Sequence, residues 1–358
     1  MKILTIVGAR PQFVKAAVLS RAISQRSDIT EILVHTGQHY DANMSDVFFE
    51  EMNIPQPDYN LHVQSKLHGD MTGKMMSEIE NIAIKENPDW ILVYGDTNST
   101  LAGALVASKL HIKLAHVEAG LRSYNNLMPE EINRILTDRV SDILFCPTTT
   151  AVENLQKEGY GNLKGKKIVQ TGDIMLEASL YYAAKNQHSK LDLPSKFILC
   201  TVHRAENTDN PEKLKTIFES LNEIGKDVPV VLPIHPRTKG KLNDIFTDAE
   251  TRFPNIKLLA PIGYYDMIWC LQNCEFVITD SGGLQKEAYF FKKYCLTLRD
   301  QTEWVELVQN GYNILSNIDK EDILNNFSKL KDINKNFDEE LYGDGKTGLQ
   351  IINELLNY

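Results

Sequence analysis

Residues 2–22 read Lys-Ile-Leu-Thr-Ile-Val-Gly-Ala-Arg-Pro-Gln-Phe-Val-Lys-Ala-Ala-Val-Leu-Ser-Arg-Ala. The run Lys2–Val7 is aliphatic and β-branched, which marks a strand. Gly8-Ala9-Arg10-Pro11 makes a tight turn, and apolar residues then recur at helical spacing from Phe13 to Arg26. Strand, turn and helix in that order form one step of a parallel sheet, because a parallel neighbour needs a long crossover to return the chain to its starting edge. Outward from this step the pattern repeats. Strand candidates follow at Glu31–Thr36, Trp90–Tyr94, Lys113–Val117 and Asp142–Cys146. Helical patterns near Asn43–Glu51, Met71–Glu86, Ser99–Lys109 and Glu130–Val140 alternate with them.

The series then restarts. Phe197–Val202, Pro229–Ile234, Lys257–Leu259, Phe276–Thr279 and Tyr294–Leu298 read as strands, separated by helices such as Glu212–Ile224 and Gly283–Phe291. The seam is expected near Lys164–Gly172, with Asp173–Lys185 as a linking helix. The expected fold class is therefore α/β, with two Rossmann-like doubly wound domains facing across a cleft. They cover residues 1–170 and 173–340, and a last helix at about 347–358 is expected to pack back on the first. Ligands normally bind in such a cleft.

At 358 residues, with 42% apolar and 24% charged positions, the chain is long enough to build two cores. Its net charge of −10, with basic residues scattered, argues against nucleic acid or an anionic membrane surface as the main partner. Cys146, Cys200, Cys270, Cys274 and Cys295 lack nearby partners of metal-ligand spacing, so buried, reduced thiols and no metal site are expected. The opening apolar run is too short for a signal peptide and no later run is long enough to span a bilayer, so a cytoplasmic location is expected.

A nicotinamide-dependent route would need Gly-x-Gly-x-x-Gly between a strand and a helix. The first strand ends instead in Gly8-Ala-Arg-Pro11, and Gly159-Tyr-Gly-Asn-Leu-Lys-Gly165 has the wrong spacing. Gly345-Lys346-Thr347 resembles the end of a Walker loop, but Glu340 stands where its first glycine belongs. No dinucleotide cofactor and no ATPase activity are expected.

Ligand chemistry in a doubly wound sheet collects beyond the carboxyl ends of the strands. Here those ends are polar one after another. Arg10 and Lys15 put two cations at the first helix start. Gly95-Asp96-Thr97 and His116-Val-Glu118-Ala-Gly120-Leu-Arg122 end successive strands, so the Asp96 and Glu118 carboxylates are expected to converge as proton-transfer groups. Ser281-Gly282-Gly283, between a strand and a helix, offers free amides, small residues and a helix dipole to an anion such as a diphosphate. Glu287, on the first turn of that helix, is then placed to accept from ribose hydroxyls. Each feature also has a plainer reading. Asp96 caps a helix, the Pro129-Glu130-Glu131 start decorates a helix dipole, His203 is a satisfied core histidine and the glycines merely end a strand.

In order and spacing, these segments resemble the non-hydrolysing UDP-N-acetylglucosamine 2-epimerases over nearly the whole chain. The matching segments are Gly8-Ala-Arg-Pro-Gln-Phe-Val-Lys15, Gly37-Gln-His39, Val93-Tyr-Gly-Asp-Thr97, His116-Val-Glu-Ala-Gly-Leu-Arg122, Pro129-Glu-Glu-Ile-Asn-Arg134, Thr201-Val-His-Arg204, Asp280-Ser-Gly-Gly283 with Glu287, and Tyr342-Gly-Asp-Gly-Lys346. The resemblance implies a GT-B-like fold, a cofactor-free enzyme, a homodimer and a role in polysaccharide biosynthesis. It implies a catalytic set of Asp96, Glu118, Glu130 and His203. Arg10, Lys15, Ser281, Gly282, Gly283 and Glu287 would hold the nucleotide, with Met267, in Pro261-Ile-Gly-Tyr-Tyr-Asp-Met267, beside the uracil. Gln38 and His39 match part of the family's allosteric UDP-GlcNAc site.

The implied chemistry is elimination and re-addition of UDP through 2-acetamidoglucal, interconverting UDP-GlcNAc and UDP-ManNAc. Carbon 2 has no adjoining carbonyl, so its proton is lost as the carbon 1–oxygen bond breaks. Acid–base groups on both ring faces and a cationic cradle for the departing diphosphate are required. Two departures concern the substrate. Trp304 stands where the family commonly has an arginine facing the ligand, and Asp173 replaces the asparagine of the usual Thr-Gly-Asn. Both variants resemble those of relatives acting on UDP-2,3-diacetamido-glucuronate or 6-deoxy-hexosamines. A GT-B-like UDP-sugar glycosyltransferase, a hydrolysing 2-epimerase and a catalytically silent UDP-sugar-binding partner are the competing readings.

Overall fold

The computed structural model describes residues 1–38, 55–65, 67–185 and 191–358, and of Arg10 the backbone alone. The helix expected at Asn43–Glu51 lies outside the described residues. So does His39.

β1 (Lys2–Val7) sits inside a parallel sheet with β2 (Thr30–His35), β3 (Tyr59–Asn60), β4 (Trp90–Tyr94), β5 (Lys113–Val117), β6 (Ile143–Cys146) and β7 (Lys167–Gln170). Among the described residues the order is β3-β2-β1-β4-β5-β6-β7. Leu4 lies opposite Ile32 on one side and Ile91 on the other. Strands so placed are covered on both faces, which is why they read as continuous apolar runs. On one face Leu4, Ile6, Ile32, Val34, Ile91 and Val93 meet helices His68–Glu86 and Asn98–Leu110 through Met75, Ile79, Ala104 and Ala107. The other face is covered by helix Arg10–Ser24, against which the C-terminal helix Thr347–Leu356 packs. A Cβ on Gly348 would lie 3.0 Å from Val18 Cγ1, so glycine sets how closely those two helices approach.

The second sheet holds β8 (Ile198–Thr201), β9 (Val230–Pro233), β10 (Ile256–Leu259), β11 (Phe276–Thr279), β12 (Cys295–Thr297) and β13 (Asn313–Leu315) in the order β10-β9-β8-β11-β12-β13. Ile198, Cys200, Leu232 and Ile278 pack on helices Pro211–Ile224 and Lys320–Lys331, while Leu199, Val231 and Val277 pack on Cys270, Leu271, Leu284 and Ala288. Each unit is thus a parallel, doubly wound α/β domain of the Rossmann-like class that the alternating pattern predicts. The five cysteines are buried free thiols. Among the described residues no helix is long and apolar enough to cross a membrane.

The chain separates into Met1–Leu180 with Glu340–Tyr358, and Tyr181–Glu339. The boundary falls inside helix Ile174–Lys185, and β7 occupies part of the stretch expected to hold the seam. β3 and β13 have no counterpart in the sequence reading. Both are short edge strands that carry no periodicity of their own.

His35, at the end of β2, is only 2% exposed and stacks on Phe13 with ring centroids 4.8 Å apart. Burial lowers its pKa from 6.5 to about 4. Between those values the unfolded chain takes up a proton that the folded chain refuses, so stability falls as pH drops through that window. Replacing His35 with Gln is expected to flatten the decline in melting temperature between pH 7 and pH 4.5. Thermal melts of both proteins across that range check it.

Candidate active site

Each strand order leaves one gap where neighbouring crossovers depart in opposite directions, between β1 and β4 in one sheet and between β8 and β11 in the other. Ligands of such sheets bind beyond the strand ends at those gaps.

In the first unit, Gly8 ends β1. A Cβ there would lie 2.0 Å from Ser99 Oγ and 2.3 Å from Thr36 Oγ1, so glycine lets the turn press against the next helix start. Gln12 reaches back from the first helical turn. Its Oε1 accepts from the amides of Gly8 (2.8 Å) and Ala9 (3.1 Å), and its Nε2 faces the Tyr94 carbonyl (2.7 Å), Thr97 Oγ1 (3.0 Å) and Thr100 Oγ1 (2.9 Å). The ends of β1 and β4 are thereby joined. Gln38 accepts from the Ser99 amide at 3.0 Å and its hydroxyl at 2.7 Å, helping to satisfy the start of helix Asn98–Leu110.

Asp96 and Glu118 follow β4 and β5, which are adjacent, and the two carboxylates do converge. A Cβ on Gly95 would lie 3.3 Å from Glu118 Oε2 and 3.5 Å from Lys15 Nζ, so the Lys15–Glu118 ion pair sits directly over the turn carrying Asp96. Lys15, expected to face a diphosphate, is here bound to a carboxylate of its own unit. Asp96 Oδ2 accepts from Arg134 Nε at 3.0 Å and lies 2.9 Å from its Nη2. Desolvation raises the pKa of Asp96 and Glu118 adds to it, against the pull of Arg134 and Lys15. A third of its side-chain surface (34%) still reaches solvent.

Helix Pro129–Val140 supplies Arg134 and its supports. Asn133 Nδ2 donates to the Asp96 carbonyl at 2.9 Å. Glu131, 1% exposed, accepts from the amides of Ser123 (2.9 Å) and Tyr124 (2.8 Å) and from Arg134 Nη1 (2.5 Å). Desolvation would raise its pKa, but these donors outweigh it and hold the group low. Glu130, the member of the pair expected in the catalytic set, is exposed and takes no part in the hydrogen bonds joining Asp96, Arg134 and Glu131.

In the second unit, Asp280 ends β11 fully buried. It accepts from the amides of His203 (3.1 Å) and Arg204 (3.0 Å) and from Asn207 Nδ2 (3.1 Å), which fixes the loop after β8. His203 Nδ1 lies 3.3 Å from Asp280 Oδ1, and 47% of the side chain is exposed, so it is a strand-end group and not a core histidine. Desolvation of its partly buried ring lowers its pKa, opposed by Asp280 and reinforced by Arg204 and His235. Ser281 is the N-cap of helix Gly282–Phe290. Gly283 has open space where a Cβ would go, whereas at Gly282 a Cβ would lie 2.4 Å from Glu303 Oε1. Glu303 is held by Arg299 Nη1 at 3.2 Å. The helix start thus already faces a carboxylate. Glu287 falls on the second helical turn, not the first as the sequence suggests, and accepts from Tyr264 Oη at 2.9 Å. Met267 lies in helix Tyr264–Asn273, partly buried against the core below it. Arg10 begins its helix, and its side chain is outside the described residues.

Two carboxylates beside cations at one switch point and a small-residue helix start at the other are the polar features of this two-unit α/β protein. The chain belongs to the UDP-N-acetylglucosamine 2-epimerase family, whose description matches residues 21–356. It is 54% identical over 98% of both chains to the UDP-2,3-diacetamido-2,3-dideoxy-D-glucuronate 2-epimerase of Pseudomonas aeruginosa. The UDP-GlcNAc 2-epimerase of Methanocaldococcus jannaschii, solved in complex with UDP-GlcNAc and UDP, superposes with a TM-score of 0.89 at 42% identity over 100% of both chains. That of Neisseria meningitidis bound to UDP-GlcNAc gives 0.88 at 30% identity, again over 100% of both.

Sequence reasoning passed over Gln12, Asn133, Arg134, Asp138, His116 and Glu303 as site residues. A signal existed for one group. In helix Pro129–Val140 the polar residues Asn133, Arg134, Thr137 and Asp138 are buried while Ile132 and Leu136 are 45% and 43% exposed, the reverse of ordinary amphipathicity.

Two outcomes are expected. Gly8→Ala should cost roughly 1–3 kcal/mol through overpacking against Ser99 and Thr36, read as a drop of several degrees in a calorimetric melt. Asp96→Asn should melt no lower than the parent at neutral pH, since a carboxyl with a raised pKa destabilises the fold when ionised. That advantage should shrink as pH falls through the carboxyl range.

Proposed function

We propose that this chain is an isomerase that inverts carbon 2 of a UDP-2-acetamido sugar without hydrolysis, interconverting UDP-GlcNAc and UDP-ManNAc. The observation carrying this reading is the convergence of Asp96 and Glu118 beside Lys15 and Arg134 in a chain of this family. One carboxylate takes the carbon 2 proton as the carbon 1–oxygen bond breaks. UDP departs with the bonding pair, and 2-acetamidoglucal remains. UDP then adds back while a proton reaches the opposite face of carbon 2. Burial raises the pKa of Asp96, so it holds a proton more readily than an exposed carboxylate, and Glu118 is paired with Lys15. Asp96, Glu118 and Glu130 supply the acid–base groups for the two faces of the ring. The Ser281-Gly282-Gly283 helix start, Arg10 and His203 serve the diphosphate where charge develops, Glu287 and Met267 serve the nucleoside, and Gln38 with His39 contributes to an allosteric site. The enzyme works in the cytoplasm as a homodimer and feeds polysaccharide biosynthesis.

A second reading keeps the reaction and changes the sugar. The 54% identity to an enzyme named for UDP-2,3-diacetamido-2,3-dideoxy-D-glucuronate, together with Trp304 in place of a cation, favours a modified hexosamine.

Purified protein should be incubated in D2O with UDP-GlcNAc, UDP-2,3-diacetamido-glucuronate and a UDP-6-deoxy-hexosamine in turn, and followed by NMR. The expected result is a manno-configured epimer carrying deuterium at carbon 2 from at least one of them, with no acceptor present. Asp96→Asn or Glu118→Gln should slow it by at least about a hundredfold. Release of free N-acetylmannosamine with stoichiometric UDP would point instead to hydrolysis. Silence toward all three sugars would sink the reading.

A further inference from the structure

Glu118 has a φ of +74°, in the left-handed region that residues bearing a Cβ rarely enter. Its amide and that of Ala119 both donate to the Phe145 carbonyl, at 3.1 and 3.0 Å, so the turn that follows β5 closes on a single carbonyl of β6. A strained conformation persists only when its surroundings over-determine it.

The constraint lies two residues to either side. Asp138, fully buried on helix Pro129–Val140, has Oδ1 2.7 Å from His116 Nδ1. Its Oδ2 accepts from the Gly120 amide at 3.1 Å and from Arg122 Nη1 at 2.7 Å. Gly120 itself has a φ of +80°, and a Cβ there would lie 2.4 Å from the Ala151 carbonyl oxygen, so the chain after Glu118 is fixed in place. Arg122 is closed from behind by Glu158, with Nε to Oε1 at 2.7 Å and Nη2 to Oε2 at 2.8 Å. The other face of His116 completes the arrangement. Its Nε2 lies 2.8 Å from the carbonyl oxygen of Gly95, whose peptide nitrogen partner is Asp96. One buried carboxylate therefore grips residues before and after Glu118 and, through the imidazole, the peptide that carries Asp96.

We propose that Asp138 is a positioning residue for the reaction, holding Glu118 in its left-handed elbow through His116 and the Gly120 amide and setting Asp96 through His116 and the Gly95 carbonyl. The proposal rests on the epimerase reading above. Asp138 holds the imidazole and the backbone beside both carboxylates, so its contribution is geometric, and small displacements of reacting groups are costly in rate.

The test uses Asp138→Asn, His116→Gln and His116→Leu with whichever UDP-sugar the wild type turns over. Gln retains a donor for the Gly95 carbonyl and Leu does not. The kcat of Asp138→Asn is expected to fall about 10- to 100-fold with KM within about threefold, and His116→Gln to keep about tenfold more rate than His116→Leu. UDP binding by calorimetry should be unchanged in all three, because the helix start at Gly282 belongs to the other unit. The proposal is overturned if rate per UDP-binding-competent molecule stays within about twofold of wild type in Asp138→Asn, or if Gln and Leu at 116 are equivalent. Should Asp138→Asn fail to fold, the His116 pair decides alone. If the wild type neither epimerises nor exchanges the carbon 2 proton, the functional reading fails and this proposal with it; a turning-over wild type with insensitive variants defeats this proposal alone.

Discussion

The side-chain amide of Gln12 is the joint on which the first unit's strand ends depend. Where β1 and β4 lie side by side their crossovers leave in opposite directions, and the amides of Gly8 and Ala9 and the Tyr94 carbonyl all meet the Gln12 side chain there. A buried backbone group left without a partner costs about 1–3 kcal/mol. Gln12, 2% exposed, answers all three with one planar group and reaches the Thr97 and Thr100 hydroxyls as well. The Gly95–Asp96 turn is thereby tied to β1 and cannot drift from the helix that carries Lys15.

The two units share one strand order and differ in what they place at the gap. In the first, charged side chains are packed against one another: Lys15 on Glu118, Arg134 between Asp96 and Glu131. In the second, a buried aspartate organises backbone amides, and the helix start is stripped of side chains at Gly282 and Gly283. In the first arrangement the two carboxylates have unlike surroundings, Asp96 desolvated beside Arg134 and Glu118 paired with Lys15. The second suits an anion, since amides and a helix dipole carry no counter-charge of their own to be displaced. The Glu303 carboxylate over Gly282 fits that preference.

Much of this was legible in the sequence, and the limits have physical causes. β1, β4, β5 and β11 were read to the residue because buried parallel strands are written as unbroken aliphatic runs. Asp96 and Glu118 stand out in the sequence because they directly follow such runs. The resemblance singles out Glu130, whereas the helix turns Glu131 inward, because its buried face is the polar one of Asn133, Arg134 and Thr137 while the apolar Ile132 and Leu136 point outward. Lys15 was read by charge alone, and charge does not say whether a cation awaits a ligand or already holds a carboxylate. His116 carries no signal of its own, since a histidine inside an apolar strand looks ordinary until the fold brings it within 2.7 Å of Asp138.

Three local costs accumulate within one crevice: a carboxyl held above its ordinary pKa at Asp96, a left-handed elbow at Glu118 and a row of polar side chains turned inward on helix Pro129–Val140. None would be chosen for stability, since each works against the fold it sits in. They persist because the surrounding sheets are covered on both faces by aliphatic cores large enough to offset them. They are also concentrated on a single helix, so one rigid element orders Asp96 through Asn133 and Arg134 and the Glu118 elbow through Asp138. Independent loops would each have to be immobilised separately, at an entropic cost per residue. A helix already fixed by packing sets both carboxylates with a single set of contacts, which accounts for its polar face being the buried one.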